Sequence, residues 1–314
     1  MAAKKLNIAI TISSLSHALT VACACCALAF LWTGAAFAIP QTEPRAYANL
    51  PVGSNYLEIT YSDTDGNVSF DTDLPVQGLE ASVSAWTLRY LKYYESRGQV
   101  GRYGVMLPWV RVSGSIRGTS ISGSNDGFAD PILYVVRAFK GAPALDLEGF
   151  MGYQQDTIVA WALMVQMPLG QYDGDRVLNV GTNRWVFKPE VAVSKAQGPW
   201  TYELYGNVQL FTDNDDYAGS LTLEQNAIWG IEGHLVRDFK EGRSASLDLL
   251  YANGGETSID GVDQGDGQSD WYIGTNIVIP VSVQDTLGLV YLTGLSTEGG
   301  PEFDSFTFFY ARVW

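Results

Sequence analysis

Cysteine and histidine are almost absent from this chain of 314 residues. Its three cysteines are Cys23, Cys25 and Cys26, and the only histidine after residue 38 is His234. A metal site built from several imidazoles or thiolates is therefore excluded in the rest of the chain. Disulfides are excluded there as well, so the folded chain must be held together in another way.

Long apolar runs and positive charge are scarce too. After residue 38, no apolar run approaches the ~20 residues that a membrane-spanning helix needs. The chain has 19 Lys and Arg residues and 34 Asp and Glu residues, which gives a formal net charge of −15. Because so acidic a chain repels phosphate backbones, nucleic acid is excluded as a partner.

The N-terminus has the features of a secretory signal peptide. Lys4 and Lys5 precede an apolar stretch that ends in Ala36-Phe37-Ala38, which is an A-x-A cleavage pattern. We therefore predict a signal peptide over residues 1–38, and its loss leaves 276 of the 314 residues and moves the net charge from −15 to −17. An uncleaved anchor is the alternative, because the stretch is longer than most signal peptides.

Alternating side chains predict membrane strands in the second half of the chain. Between residues 184 and 194, one parity carries large apolar residues, namely Trp185, Phe187, Pro189, Val191 and Val193. The other parity consists of Arg184, Val186, Lys188, Glu190 and Ala192. One face therefore suits lipid, and the opposite face suits a watery lumen.

Two further hairpins repeat this alternation. Their lumen parity contains Glu203, Tyr205, Glu232, His234 and Asp248. A turn at residues 241–242 pairs His234 with Asp248. The opposite parity predicts that four tryptophans face lipid, namely Trp185, Trp200, Trp229 and Trp271.

The whole pattern predicts an all-β fold, an antiparallel transmembrane β-barrel of about 12 strands. The predicted strands are 54–62, 83–95, 102–116, 128–140, 156–168, 183–195, 199–212, 221–239, 243–254, 269–281, 284–296 and 303–314. The apolar parity shifts between residues 79 and 94, which indicates either a bulge or a different register. Residues 142–155 predict a short amphipathic helix on the periplasmic side.

The connections between these strands fall into two classes. Short turns near residues 98–99, 197–198, 241–242 and 282–283 lie on one side, and long polar segments at 63–78, 117–127, 169–182, 213–220, 255–268 and 297–302 lie on the other. Bacterial barrels have short periplasmic turns and long external loops. We therefore expect a periplasmic segment over residues 39–53 and a barrel over residues 54–314.

The last predicted strand carries an aromatic face with Phe306, Phe308, Tyr310 and Trp314. Such a strand ending in an aromatic residue is typical of outer-membrane proteins, whose assembly machinery reads it. We therefore predict the bacterial outer membrane as the location and the barrel-assembly machinery as a partner through Trp314. The alternative is the edge strand of a soluble β-sandwich, which would leave many aromatic residues exposed.

Several motifs follow one another in an order typical of a known family. They are Gly127-Phe128-Ala129-Asp130-Pro131, residues 168–173, residues 179–185 with Pro189, residues 211–215 and Gly254-Gly255. Together they resemble the MetA-pathway of phenol degradation family, over most of the chain after the leader. That resemblance implies an outer-membrane barrel associated with the catabolism of aromatic or other hydrophobic compounds, and it implies no catalytic residues.

The family motifs begin or end at the predicted outer rim. We expect five rim residues to meet at the mouth, namely Asp130, Asp173, Asn183, Arg184 and Asp213. One interpretation is that they fix the loop backbone as turn formers do. The other is that they form an inward-folded constriction in which Arg184 binds an acidic residue of another loop.

The lumen candidates are Lys188, Glu190, Glu203, Tyr205, Glu232, His234 and Asp248. Their mixed charges favour pairing across strands over a wide open pore. His234 and Asp248 are two members of a hydrolase triad, but the sequence places no serine beside them. The acidic segment 260–267 lacks the ligand spacing of a calcium loop, so it is interpreted as a solvated loop.

These features together predict a barrel that admits small hydrophobic or aromatic molecules. We expect no enzyme activity, no cofactor and no metal. The expected partners are outer-membrane lipid and lipopolysaccharide, the assembly machinery and the solute. Two alternatives stay open: a structural or adhesive barrel, and a lipid-modifying enzyme that uses His234.

Overall fold

The computed structural model describes residues 42–68, 79–116, 122–176 and 178–314. The predicted leader lies outside these residues, as do parts of the predicted loops 63–78, 117–127 and 169–182. Among the described residues, no helix has the length and apolar character needed to cross a membrane.

Strands make up most of the described chain. They are β1 (Asn55–Val68), β2 (Leu79–Ser96), β3 (Gln99–Ile116), β4 (Ser122–Phe128), β5 (Ile132–Lys140), β6 (Thr157–Gln166), β7 (Val186–Gln197), β8 (Trp200–Phe211), β9 (Asn214–Tyr217), β10 (Leu221–Gln225), β11 (Ile228–Asp238), β12 (Ser244–Gly254), β13 (Thr257–Ile259), β14 (Val262–Asp263), β15 (Gln268–Pro280), β16 (Asp285–Ser296) and β17 (Glu302–Val313). Among the described residues, the one α-helix, α1 (Leu147–Phe150), lies between β5 and β6, and a 3-10 turn at Lys240–Gly242 follows β11.

Twelve strand positions close an antiparallel barrel, which confirms the predicted fold. β1 pairs with both β2 and β17, and this second pairing closes the sheet. β4 and β5 share one position, because both pair with β3. The short strands β9, β10, β13 and β14 form a separate small sheet in the loops.

The barrel has two different ends. Asn55 and Trp314 lie together at one end, where their backbones exchange hydrogen bonds of 2.8 and 3.1 Å. This turn end also carries the short turns after β2, β7, β11 and β15 and the connection that contains α1. The opposite loop end carries the small sheet and the connection between β6 and β7. In bacterial barrels the turn end is periplasmic.

Three predicted elements differ from the observed ones. The predicted strand 128–140 is interrupted at residues 129–131, because Pro131 has no N–H to donate and the side chain of Asp130 turns inward to bind loop backbone. The predicted strand 221–239 is divided into β10, which joins the small sheet, and β11. The predicted helix 142–155 is only the single turn α1, capped by a 2.8 Å hydrogen bond from Gly149 N to Asp146 Oδ1.

The parity shift between residues 79 and 94 is not a bulge. The register of β1 with β2 runs unbroken from Asn55 and Lys92 to Val68 and Leu79. The shift arises because Leu91 and Tyr93 are buried inside the barrel, so the inner face is apolar here as well as the outer face. Alternation is lost wherever both faces of a strand are apolar.

The predicted lipid-facing residues lie on the outer face. Trp185, Trp229 and Trp271 are exposed, and Trp200 is half-buried beneath the guanidinium of Arg237. Exposed aliphatic and aromatic residues of β7, β8 and β17 continue this belt, including Val191, Leu204, Phe306 and Phe308. A surface this apolar suits the hydrocarbon core of a membrane.

Candidate functional site

The inner wall of the barrel is divided into an apolar sector and a polar sector. β2, β5 and β6 turn apolar side chains inward, including Leu91, Tyr93, Ile132, Val136, Ile158, Ala160, Ala162 and Met164. β7, β8, β11 and β12 turn in all seven predicted lumen residues, and all are buried, namely Lys188, Glu190, Glu203, Tyr205, Glu232, His234 and Asp248. The structure thus brings these seven together, while their role in binding stays a prediction.

The N-terminal segment, residues 42–53, contributes to the lumen. The prediction placed residues 39–53 in the periplasm, but the segment contacts inward side chains of the barrel from Thr42 onward. The ring of Tyr47 lies 5.0 Å from the ring of Tyr205, and the side chain of Asn49 binds the backbone of Pro143 beside α1. Residues 42–49 therefore lie across the turn end of the lumen.

Three inward glutamates bind this segment. Thr42 donates from its backbone N to Glu232 at 2.7 Å and from its hydroxyl to Glu190 at 2.9 Å. Arg45 donates from its backbone N to Glu203 at 2.6 Å. Hydrogen bonds to charged acceptors contribute about 1.5–3 kcal/mol each when they are buried. The carboxylates of the polar sector therefore already have ligands from the same chain.

The glutamates also bind one another through shared donors. The ammonium of Lys188 lies 3.2 Å from Glu232 and 3.5 Å from Glu190, and all three side chains are at most 4% exposed. Asn207 donates to the same two glutamates at 2.8 and 3.3 Å. Mixed charges pair across strands as expected, and they fill this part of the lumen.

Two ion pairs attach the segment to the barrel at other places. Arg45 donates to Asp238 at 2.6 Å, and Glu43 accepts from Arg89 at 2.8 Å. Arg89 also binds the buried Glu58. The sequence reasoning did not single out Glu58. Alternation could have placed it inside the barrel, because its neighbours Leu57 and Ile59 are apolar and face outward.

His234 and Asp248 pair as the register argument predicts. They are cross-strand partners, and Nδ1 of His234 lies 2.8 Å from Oδ1 of Asp248. A serine does lie nearby, contrary to the sequence interpretation, because Ser246 donates to Oδ2 of Asp248 at 2.9 Å. Hydrolases need the serine at Nε2 of the histidine, and within the described residues that atom has no hydrogen-bond partner. The lumen described here therefore does not assemble a Ser-His-Asp triad.

Asp130 binds the end of β6 and the loop that follows it at the loop-end mouth. Its carboxylate accepts from Gly170 N at 2.8 Å, from Thr182 N at 2.8 Å, from the Thr182 hydroxyl at 2.7 Å and from Gln166 at 3.1 Å. The loop between β6 and β7 is thereby fixed to the break between β4 and β5. Gln166 and Thr182 were missed by sequence reasoning, because nothing local marks them as partners of Asp130.

The same loop folds into the mouth. Val180 is fully buried and Leu178 packs beside it, against Val110 and Val112 on the inner face of β3. Asn125 donates to the backbone O of Leu178 at 2.8 Å. An inward-folded loop therefore narrows the loop end.

Arg184 lies buried in this mouth. It donates to Oε1 of Gln225 at 2.6 Å, and its guanidinium lies 4.6 Å from the ring centroid of Phe211. Burial lowers the pKa of Arg184 to about 10, while the negative charge of Asp130 raises it, so the side chain is protonated at neutral pH. A direct bond from Arg184 to an acidic residue stays a prediction.

The other predicted mouth residues lie further out. Asn183 donates to Asn214 at 2.8 Å and connects the loop to the small sheet. Asp173 forms a 3.1 Å ion pair with Arg176 on the exposed side of the loop, and Asp213 is exposed. The structure therefore brings Asp130, Asn183 and Arg184 into the mouth, whereas Asp173 and Asp213 lie at its outer surface.

Comparisons with known proteins agree with this architecture. Residues 60–311 match the family described as "Putative MetA-pathway of phenol degradation". The structure is similar to that of the COG4313 outer membrane channel from Pseudomonas putida F1, with a TM-score of 0.77, 24% identity and coverage of 87% of this chain and 100% of that one. It is also similar to the β-domain of the Bordetella autotransporter BrkA, with a TM-score of 0.50, 10% identity and coverage of 83% and 99%. No curated protein matches the chain.

Proposed function

Because the chain belongs to the MetA-pathway of phenol degradation family and folds as an outer-membrane β-barrel, we propose that it is a channel for the uptake of small hydrophobic or aromatic molecules. The observation that carries this proposal is the division of the inner wall. An apolar sector adjoins a polar one along the inner wall. A solute with an apolar body and a polar group has a matching surface in each sector.

Uptake requires movement of the N-terminal segment. Thr42, Arg45 and Tyr47 occupy the polar sector at the turn end and bind its glutamates. Hydrogen bonds and ion pairs hold the segment to the wall, and Ala46, Tyr47, Leu50 and Val52 also pack in the apolar cluster inside the barrel. The segment acts as a closure in this proposal, and the glutamates are released when it leaves.

The closure is tested by the double variant Arg45→Ala/Tyr47→Ala. These changes remove the bonds from the two side chains to Asp238 and Glu190 and leave the barrel wall intact. We expect a several-fold rise in single-channel conductance in planar bilayers. Arg243→Ala is the control, because within the described part of the chain the side chain of Arg243 binds only Glu241, in an exposed turn outside the lumen. Equal conductance in the double variant and the wild type would contradict the closure.

Solute preference is tested by liposome swelling with benzoate, hexanoate and a sugar of similar size. We expect both organic acids to enter faster than the sugar. Met164→Ser places a hydroxyl in the apolar sector and should lower the ratio of benzoate flux to sugar flux. Val165→Ser is the matched control, since the neighbouring side chain points to the outer face. An unchanged ratio in Met164→Ser would remove the apolar sector as the basis of selection, and swelling by none of the solutes would favour the structural or adhesive barrel.

A further inference from the structure

The outer wall carries unpaired cations near the turn end. The side chains of six basic residues there make no ion pair or hydrogen bond within the described residues, namely Arg97, Arg137, Lys140, Lys195, Arg237 and Lys240. Inside the barrel, Arg45, Arg89 and Lys188 bind carboxylates, and Arg102 donates to the hydroxyl of Tyr93. In a chain with 34 acidic residues, the acids are numerous enough to pair with every one of these cations. Their lack of partners points to an external anion.

Lys195 and Arg237 flank one strand on the lipid side. Lys195 of β7 is the register partner of Tyr202, and Arg237 of β11 is the register partner of Trp200. Because β8 lies between β7 and β11, the two backbones are about 10 Å apart. Two long basic side chains that extend over β8 from opposite sides can reach the same group.

Aromatic rings hold Arg237 in place. Its guanidinium lies 4.9 Å from the ring centroid of Trp200 and 5.5 Å from that of Phe239. Stacking leaves the edge of the planar guanidinium free to donate hydrogen bonds. Tryptophan and tyrosine beside a basic residue are typical of the depth at which lipid head groups lie.

We propose that Lys195 and Arg237, together with Trp200 and Tyr202, form a binding site for the phosphate of an anionic phospholipid in the periplasmic leaflet. The guanidinium edge and the ammonium donate to the phosphate oxygens, as in other basic lipid sites. The acyl chains then follow the apolar outer face toward Leu204 and Leu235. The site lies at the turn end, whereas lipopolysaccharide occupies the leaflet at the loop end. The site depends on the orientation of the barrel and not on which solute it admits.

The test measures lipid retention by the full-length barrel. The wild-type protein and Lys195→Gln/Arg237→Gln are incorporated into nanodiscs of phosphatidylglycerol mixed with phosphatidylcholine, and lipids retained after detergent washing are counted by native mass spectrometry. We expect the wild type to retain phosphatidylglycerol preferentially. In the double variant, the preference for phosphatidylglycerol over phosphatidylcholine should fall about tenfold, because two cations next to an anionic surface are removed. Arg111→Gln is the matched control, since Arg111 is exposed on β3 near the loop end.

The single variants Lys195→Gln and Arg237→Gln keep the test informative if the double variant does not fold. Each should lower the preference partly, and Arg237→Lys should retain more of it than Arg237→Gln because it keeps the charge. Equal retention of the two phospholipids by the wild type would overturn the proposal. An equal loss in Arg111→Gln would do so too, because the effect would then be one of net charge. In nanodiscs that also contain lipopolysaccharide, its preferential retention through Lys195 and Arg237 would overturn the assignment to the periplasmic leaflet.

Discussion

Asp130 shows how much one side chain contributes at the mouth of the barrel. It is 4% exposed and accepts hydrogen bonds from Gly170, Thr182 and Gln166, which lie at the end of β6 and in the loop that follows it. A buried carboxylate is stable only when such donors replace its water. The sequence identified Asp130 as a rim residue, but its donors are 36 to 52 residues away in the chain, so their proximity depends on the path of the loop.

Asp130→Ala should destabilise the mouth by about 2–4 kcal/mol. The change leaves the N–H groups of Gly170 and Thr182 without acceptors in a buried place, which costs more than the loss of a typical hydrogen bond. Denaturant unfolding in micelles measures the loss, and limited proteolysis should show faster cleavage between β6 and β7. Asp173→Ala is the control, because an exposed ion pair such as Asp173 with Arg176 contributes at most about 1 kcal/mol. Similar effects of the two changes would show that Asp130 does not hold the loop.

At the scale of strands, the sequence predicts best where the two faces differ. Along β7, buried and exposed residues alternate from Val186 to Lys195, and the buried ones belong to the parity that was predicted to face the lumen. β2 was harder to place, because its inner residues Leu91 and Tyr93 are as apolar as its lipid face. The interruption between β4 and β5 was missed, since Pro131 follows a motif whose role is to bind a distant loop. The local sequence pattern therefore predicts the faces of a strand only when the lipid face is apolar and the lumen face is polar.

Leu204→Arg tests the outward parity of β8. Leu204 is 58% exposed near the middle of the strand, so an arginine there enters the hydrocarbon region. We expect a loss of about 1–3 kcal/mol in the free energy of unfolding in lipid vesicles, between the ~0–1 kcal/mol cost of an arginine near the interface and the ~2–4 kcal/mol cost at the bilayer midplane. Val262→Arg is the matched control: Val262 is also exposed, but it lies in the small loop sheet, where an arginine remains in water. A loss at Val262 as large as that at Leu204 would argue against a lipid-facing Leu204.

At the scale of the whole molecule, the N-terminal segment could not be placed from the sequence. Residues 39–53 precede the first predicted strand and were interpreted as an N-terminal periplasmic segment. Their position depends on Thr42, Glu43 and Arg45 meeting residues 46 to 193 positions away. Only the closed barrel creates that set of partners. The inward glutamates were predicted from parity, whereas the ligand that binds them was not.

The position of Thr42 favours the prediction that the leader is removed. The backbone N of Thr42 binds Glu232 inside the barrel, and Ala38 lies only four residues earlier in the chain. An apolar leader attached at that point would begin beside buried polar side chains and away from lipid. That position is unfavourable for an apolar segment and for a backbone without hydrogen-bond partners. We therefore expect cleavage after Ala38, and intact-mass analysis of the membrane-extracted protein should give a chain that begins at Ile39. A variant with Ala36→Lys and Ala38→Lys, which blocks the cleavage pattern, should stay in the inner membrane and lack the heat-modifiable mobility of a folded barrel. Assembly of that variant into a barrel with its leader attached would show that the segment reaches the lumen without cleavage.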